Sequence, residues 1–145
     1  MAARISPKRW SLDDLLPEPI DQSIAAALAN LEVAVVAFEA QRARLTDSLT
    51  PDEFLGILRQ YEAIDHRAER LGAYAYLRFS EDTQNQTSLS IRDRIDQALT
   101  AVENRTLFFS LWLRALPDET AARLMPSDSD LALSLIHISE PTRPY

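Results

Sequence analysis

The chain has 145 residues, 46% of them hydrophobic and 26% charged, which is enough for one domain with a core and too short for two ordinary ones. A formal charge of -7 and a pI near 4.8 argue against nucleic acid or an anionic membrane as the main partner, because both attract basic surfaces. The absence of cysteine excludes disulfides and thiol chemistry.

Glycine is scarce: Gly56 and Gly72 are the only two, against a usual share of roughly 7%. Neither a glycine-rich phosphate cradle nor a turn-rich β-barrel is easily built from such a chain. Eight prolines (Pro7, Pro17, Pro19, Pro51, Pro117, Pro126, Pro141 and Pro144) leave two long proline-free windows, 20–50 and 52–116. The expected fold class is all-α. The N-terminal MAARISPKRW carries basic residues with no apolar stretch behind them, so it does not read as a secretory signal. The apolar run Ile24 to Phe38 is interrupted by Asn30 and Glu32 and is shorter than a membrane span requires. A soluble, cytoplasmic chain with no membrane and no nucleic-acid partner is the expectation.

Residues 1–20 read as an extended or turn segment, and helices follow. From Asp21 to Leu45, the residues Ile24, Leu28, Leu31, Val35, Phe38 and Leu45 recur at spacings of three, four or seven, the signature of one helix face packed on a core. Ala25, Ala26, Ala27, Ala29, Ala34 and Ala37 add helix propensity and permit close approach of a neighbour. The strongest start signal is Thr50-Pro51-Asp52-Glu53: a hydroxyl at the N-cap, proline at N1, and a glutamate at N3 able to reach back to the Thr50 amide. The apolar face of this second helix runs through Phe54, Ile57 or Leu58, Tyr61, Ile64, Ala68 and Leu71 toward Ala75. Gly72 within it is either a tolerated weak point or a close-packing site. The polar cluster Ser80 to Thr87 ends the unit. A third helix is expected from about Thr87 to Leu116, with Leu89, Ile91, Ile95, Ala98 or Leu99, Val102, Leu107, Phe109 and Leu113 among its apolar positions. The stretch Leu107 to Leu113 is apolar almost all round, so it is either buried on several sides or left to associate with a partner. Pro117 closes this helix, Asp118 is placed to cap a short one through Leu124, and Pro126 stops that. The pattern is an antiparallel bundle of three long helices plus a short C-terminal helix, residues 21–132.

After Leu131 the composition shifts. Leu133 to Arg143, LSLIHISEPTR, is similar without mismatch to the in-frame translation of a transposase adapter used in sequencing libraries. Residues 133–145 are therefore set aside as an adapter-derived, non-native tail. The native sequence is expected to continue beyond Ala132 in a longer parent. Removing Glu140 and Arg143 leaves the charge at -7.

Catalytic constellations are sparse. With His137 set aside, His66 is the one histidine, so neither an HExxH zinc motif nor paired Glu-x-x-His elements can be assembled. Asp65, Glu62 and Glu69 lie within a turn of His66, and a solvated histidine on a charged face accounts for them. No nucleophile elbow accompanies the serines. Arg67, Arg70, Arg92 and Arg94 alternate with acids like a salt-bridged surface, with a peptide carboxylate as the functional alternative. Tyr74, Tyr76, Phe79, Phe108 and Trp112 are candidates for a peptide groove, although aromatics at helical spacing usually belong to a core. Catalytic, cofactor-binding and metal-binding residues are each assigned as none.

Three segments carry a family resemblance. Trp10-Ser11-Leu12-Asp13-Asp14-Leu15 resembles the tryptophan-leucine-aspartate opening of the oligoendopeptidase F family of thimet-oligopeptidase-like zinc metallopeptidases. Tyr74 to Thr83, YAYLRFSEDT, resembles that family's tyrosine-alanine segment with its Asp-Thr turn. Phe108 to Leu113 is similar to its aromatic stretch before a short acidic turn, here Pro117-Asp118-Glu119. The resemblance covers Arg9 to about Leu124 in order and approximate spacing. It implies the helical N-terminal portion of a metalloendopeptidase of short peptides, forming part of the wall of a deep channel. The catalytic domain, with HExxH and a downstream glutamate holding one zinc, would follow in the parent. On this reading the fragment is inactive, carries no cofactor itself, and has as partners the missing catalytic domain and, through the parent, an oligopeptide substrate. The alternative is a stand-alone helical-bundle interaction module binding a partner helix through Phe108, Phe109 and Trp112.

Overall fold

The structure is a computed structural model in which residues 11–125 are described. Trp10, Pro126, His137 and the tail 133–145 lie outside the described residues. Four α-helices follow in order: α1 Ile20–Glu39, α2 Pro51–Glu81, α3 Gln86–Ala115 and α4 Asp118–Leu124. There is no strand among the described residues. The expected all-α bundle of three long helices and one short one is therefore observed. Short connections make α2 run antiparallel to both α1 and α3.

The start of α2 forms as the sequence specifies. Thr50 Oγ1 accepts from the Glu53 amide at 3.2 Å, and the Glu53 carboxylate accepts from the Thr50 amide at 3.0 Å, with Pro51 at the first helical position. Asn85 caps α3 by accepting from the Ser88 amide at 3.0 Å. Between them, the polar cluster shrinks to the turn Asp82–Asn85, because helical periodicity persists through Glu81 and resumes at Gln86.

Two ends differ from expectation. The first helix does not stay α-helical to Leu45: it tightens after Glu39 into a 3-10 segment, Ala40–Arg44, a common way for a helix end to satisfy its last carbonyls. Asp118 does not cap α4; it is the first helical residue, with Pro117 in the cap position and no side-chain bond. Its charge instead sits, with Glu119, in the first turn, where the helix dipole favours anions. The segment preceding α1 is a turn, in which the Leu15 and Leu16 amides both donate to the Leu12 carbonyl at 2.9 and 3.0 Å.

One face of every helix enters a common core. Ile24, Leu31, Val35 and Phe38 come from α1; Phe54, Ile57, Leu58, Ile64, Leu71, Tyr74 and Ala75 from α2; Ile91, Ile95, Val102 and Phe109 from α3; Leu124 from α4. At one end of the bundle the core is aromatic. Phe109 meets Phe38 edge to face at 5.5 Å and Tyr61 at 5.2 Å, and stacks near Phe54 and Trp112 at 6.4 and 6.2 Å. Gly72 faces α3 closely: a Cβ there would lie 3.4 Å from Leu99 Cδ1, at the edge of ordinary contact, so the packing admits a methyl and does not demand glycine. Gly56 has open space around it.

The run Ile20–Arg44 is long and apolar enough, by length and composition, to cross a membrane: 25 residues with an 18-residue window of mean hydropathy 1.6. This corrects the expectation of a run too short to span. Alanines continue the apolar character around the helix, so Asn30 and Glu32 interrupt it less than spacing alone suggests. Only 22% of that window is buried inside the bundle.

Three substitutions test this packing. Phe109→Ala is expected to destabilise the fold by about 3–5 kcal/mol and Thr50→Ala by about 1 kcal/mol, both read by urea unfolding. Gly56→Ala, at an exposed helix position with room for the methyl, is expected to stabilise by roughly 0.5–1 kcal/mol.

Candidate functional site

The candidate aromatics do not converge. Tyr74 is fully buried on α2, and burial pushes its phenol above the ordinary tyrosine range, opposed in part by the nearby Arg78 charge. Among the described residues, its hydroxyl and the Nε of Arg78, one turn further along α2, are buried without a well-formed hydrogen bond. Phe108 stacks on Phe38 at 5.3 Å, and Trp112 lies against Phe54 at 6.3 Å. Phe79 is half-buried beneath the Arg92 guanidinium, 4.6 Å from its ring centre, whereas Tyr76 is 64% exposed. These rings belong to the core, to a cation–π pair and to open surface. They line no common groove.

The arginines separate in the same way. Arg70 turns its guanidinium onto the N-terminal turn, donating from Nε to the Leu15 carbonyl at 2.9 Å and from Nη2 to the Asp14 carbonyl at 2.6 Å. Arg92 pairs with Asp96 one turn later at 3.5 Å. Arg67, Arg94 and His66 are exposed on the outer surface of their helices. Two arginines absent from the candidate set carry the best-formed contacts. Arg105 on α3 donates to both Glu39 oxygens at 2.8 and 2.7 Å and to Glu32 at 2.6 Å, clamping α1 onto α3. Arg123 on α4 donates to the Leu49 and Asp47 carbonyls, each at 2.8 Å, holding the turn before α2. Sequence spacing gives no signal for these pairs, because the partners are separated by 66 to 76 residues along the chain.

The charged groups thus act as fasteners. Hydrogen bonds from Arg105 hold the Glu39 carboxyl below the usual glutamate range and push the arginine further up. The Thr50 amide and hydroxyl, with Arg44 at 3.1 Å, do the same to Glu53. Tyr61 is pushed up by burial and by the charges of Asp65 and Glu103. Among the described residues no group of three or more His, Cys, Asp or Glu side chains is placed to hold a metal ion.

What remains is apolar surface outside the core. Of the Leu107 to Leu113 stretch, Phe109 is buried and Phe108, Trp112 and Leu113 pack against the core, but Leu107 and Leu111 stay 46% and 54% exposed on the outer face of α3. Val33 and Val36 are exposed on α1. Leu107 is one of the apolar positions read along this helix, and it turns outward because it stands two residues, about 160° around the helix, from Phe109, which takes the interior position. Compared with known proteins, the chain matches no family model, no curated protein and no solved structure.

The lowered Glu39 carboxyl makes a pH prediction. A group with a depressed folded pKa contributes stability that is present above its unfolded pKa and is lost as the pH falls through the folded value. Glu39→Gln is therefore expected to be less stable than the wild type near neutral pH. The difference should close as pH drops below the ordinary glutamate range, which urea midpoints measured at several pH values will show.

Proposed function

We propose that this chain is the non-catalytic, helical N-terminal region of a zinc-dependent oligopeptidase whose catalytic domain lies further along the parent chain. The observation that supports it is where the three resembling segments fall. Leu12 and Leu15 of the first segment pack, half-buried, against the same core in which Tyr74 and Ala75 of the second and Phe109 of the third are buried. The buried members of these segments build a scaffold, the role a channel wall requires, while Tyr76 stays at the surface.

On this reading the peptide-hydrolysing chemistry belongs to the parent. Zinc would polarise a water there and a glutamate would accept its proton, both supplied by residues outside this chain. The parent's substrate would be a short peptide, its site cytoplasmic, and the first partner of this bundle the parent's own catalytic body. The exposed Leu107 and Leu111 on α3 give that body an apolar surface to pack on.

A second reading, a stand-alone helix-binding module, is favoured by the same two leucines. It cannot use the residues first assigned to it: Phe109 is fully buried, and Phe108 and Trp112 are committed to ring contacts inside the bundle.

Reading the source gene beyond the codon for Ala132 separates the two. An open frame containing HExxH is expected; a stop codon with no such motif would overturn the peptidase reading. The 145-residue chain itself is expected to retain no stoichiometric zinc after dialysis, as measured by elemental analysis, and to cleave no peptide. Zinc retention would assign it a site of its own.

A further inference from the structure

The segment before α1 is fastened to one face of α2. Arg70, Tyr74 and Arg78 stand four residues apart along that helix, so they share a face. Arg70 reaches from it to the main chain of the segment, donating to the Leu15 carbonyl at 2.9 Å and to the Asp14 carbonyl at 2.6 Å. Leu16 is buried in the core, and Leu12 and Leu15 pack against it. One turn beyond Arg70, burial pushes the Tyr74 phenol up and the Arg78 charge opposes it, while the charges of Glu18 and Asp13 push it further up. The phenol therefore lies within reach of carboxylates at both ends of the segment.

The seal between the two is poorly satisfied. Tyr74 is 1% exposed, and among the described residues neither its hydroxyl nor the Arg78 Nε makes a well-formed hydrogen bond. A buried polar group in that condition forfeits the bonds that water would give it, and opening restores them. The apolar anchorage is slight beside that of the bundle. The segment buries Leu16, whereas α2 buries Phe54, Ile57, Leu58, Ile64 and Leu71 among others. Units with little buried apolar surface open at a lower free energy than the core does.

We infer that residues 11–19 form a strap that opens as a unit while the bundle stays folded, uncovering Arg70, Tyr74 and Arg78 on α2. Arg70 is its latch, since both main-chain bonds from the guanidinium break when the strap lifts. Leu16 leaves the core in the same step, and the Tyr74 hydroxyl and the Arg78 Nε become hydrated.

The chain has no cysteine, so a single introduced thiol reports the opening. In the 145-residue chain, with helix content checked by circular dichroism, Leu16→Cys should react with a small thiol reagent at least about 100-fold faster than Ile95→Cys. Ile95 is 0% exposed on α3, where access requires the whole fold to open. The Leu16→Cys rate should also vary little with urea well below the unfolding midpoint, because a small opening exposes little surface. Adding Arg70→Ala should raise that rate by about tenfold, and adding Tyr74→Phe should lower it by about fivefold, through removal of a hydroxyl that only the open state hydrates. In the unsubstituted chain the Leu15 and Leu16 amides, bonded to the Leu12 carbonyl, should exchange with solvent at least about 100-fold more readily than the Tyr74 amide. A Leu16→Cys thiol as slow and as urea-sensitive as that of Ile95→Cys would overturn the inference. So would a rate indifferent to Arg70→Ala, one not lowered by Tyr74→Phe, or strap amides that exchange only together with that of Tyr74.

Discussion

The contacts of Phe109 are what the rest of this bundle depends on. One ring from α3 touches Phe38 of α1 and Tyr61 and Phe54 of α2, so three helices are fixed to one another through a single buried side chain. A fully buried phenyl ring contributes about 1.5–3 kcal/mol through burial alone, and favourable ring geometry adds to it. The ion pairs are of a smaller order. Arg105 and its two glutamates remain 31% to 57% exposed, and exposed pairs contribute about 0–1 kcal/mol each. Arg105 therefore sets the rotation of α1 against α3 once the ring has brought them together. It does not supply the energy that does so.

The same division of labour explains the two other arginine forks. Arg70 and Arg123 donate to main-chain carbonyls of turns, at Asp14 and Leu15 and at Asp47 and Leu49. Turn carbonyls lack the partners that helical carbonyls find within their own element. A planar guanidinium satisfies two at once with little loss of freedom per bond. Each fork ties a non-helical segment to a helix far away in sequence. Leu16 and Leu49, the buried residues of those two segments, stay in the core as a result.

How much of this the sequence displays varies with the range of the interaction. Thr50-Pro51-Asp52-Glu53 is legible because both bonds of the capping box fall within four residues, and Asn85 before α3 works by the same local chemistry. Core faces are legible where spacing dictates them, as at Ile24, Leu31, Val35 and Phe38. The polar fasteners are illegible, because Arg105 differs from Arg94 or Arg67 only in what the fold brings near it. Leu107 and Phe109 show the limit of periodicity: two apolar residues two apart on a helix point about 160° from each other, so only one can enter the core, and the pattern alone does not say which. Tyr74 and Tyr76 repeat the case, the first buried and the second exposed. The candidate groove dissolved for that reason: its members were aromatic, but their places on the helices differ.

A three-helix bundle fills the inward face of each helix and leaves the outward face to solvent or to a partner. On α2 that outward face is charged, with Arg59, Asp65, His66, Arg67 and Glu69 exposed. On α1 it is alanine and valine. Alanine serves helix formation without demanding burial, so Ala26, Ala29 and Ala40 alone would need no further account. Val33 and Val36 are different: β-branched residues lower helix propensity, and these two leave 71% and 52% of their surface open to solvent. The basic end of the same helical run is closed inward, Arg44 on Glu53 and Arg42 over the Phe108 ring, so what the outer face of α1 leaves open is apolar.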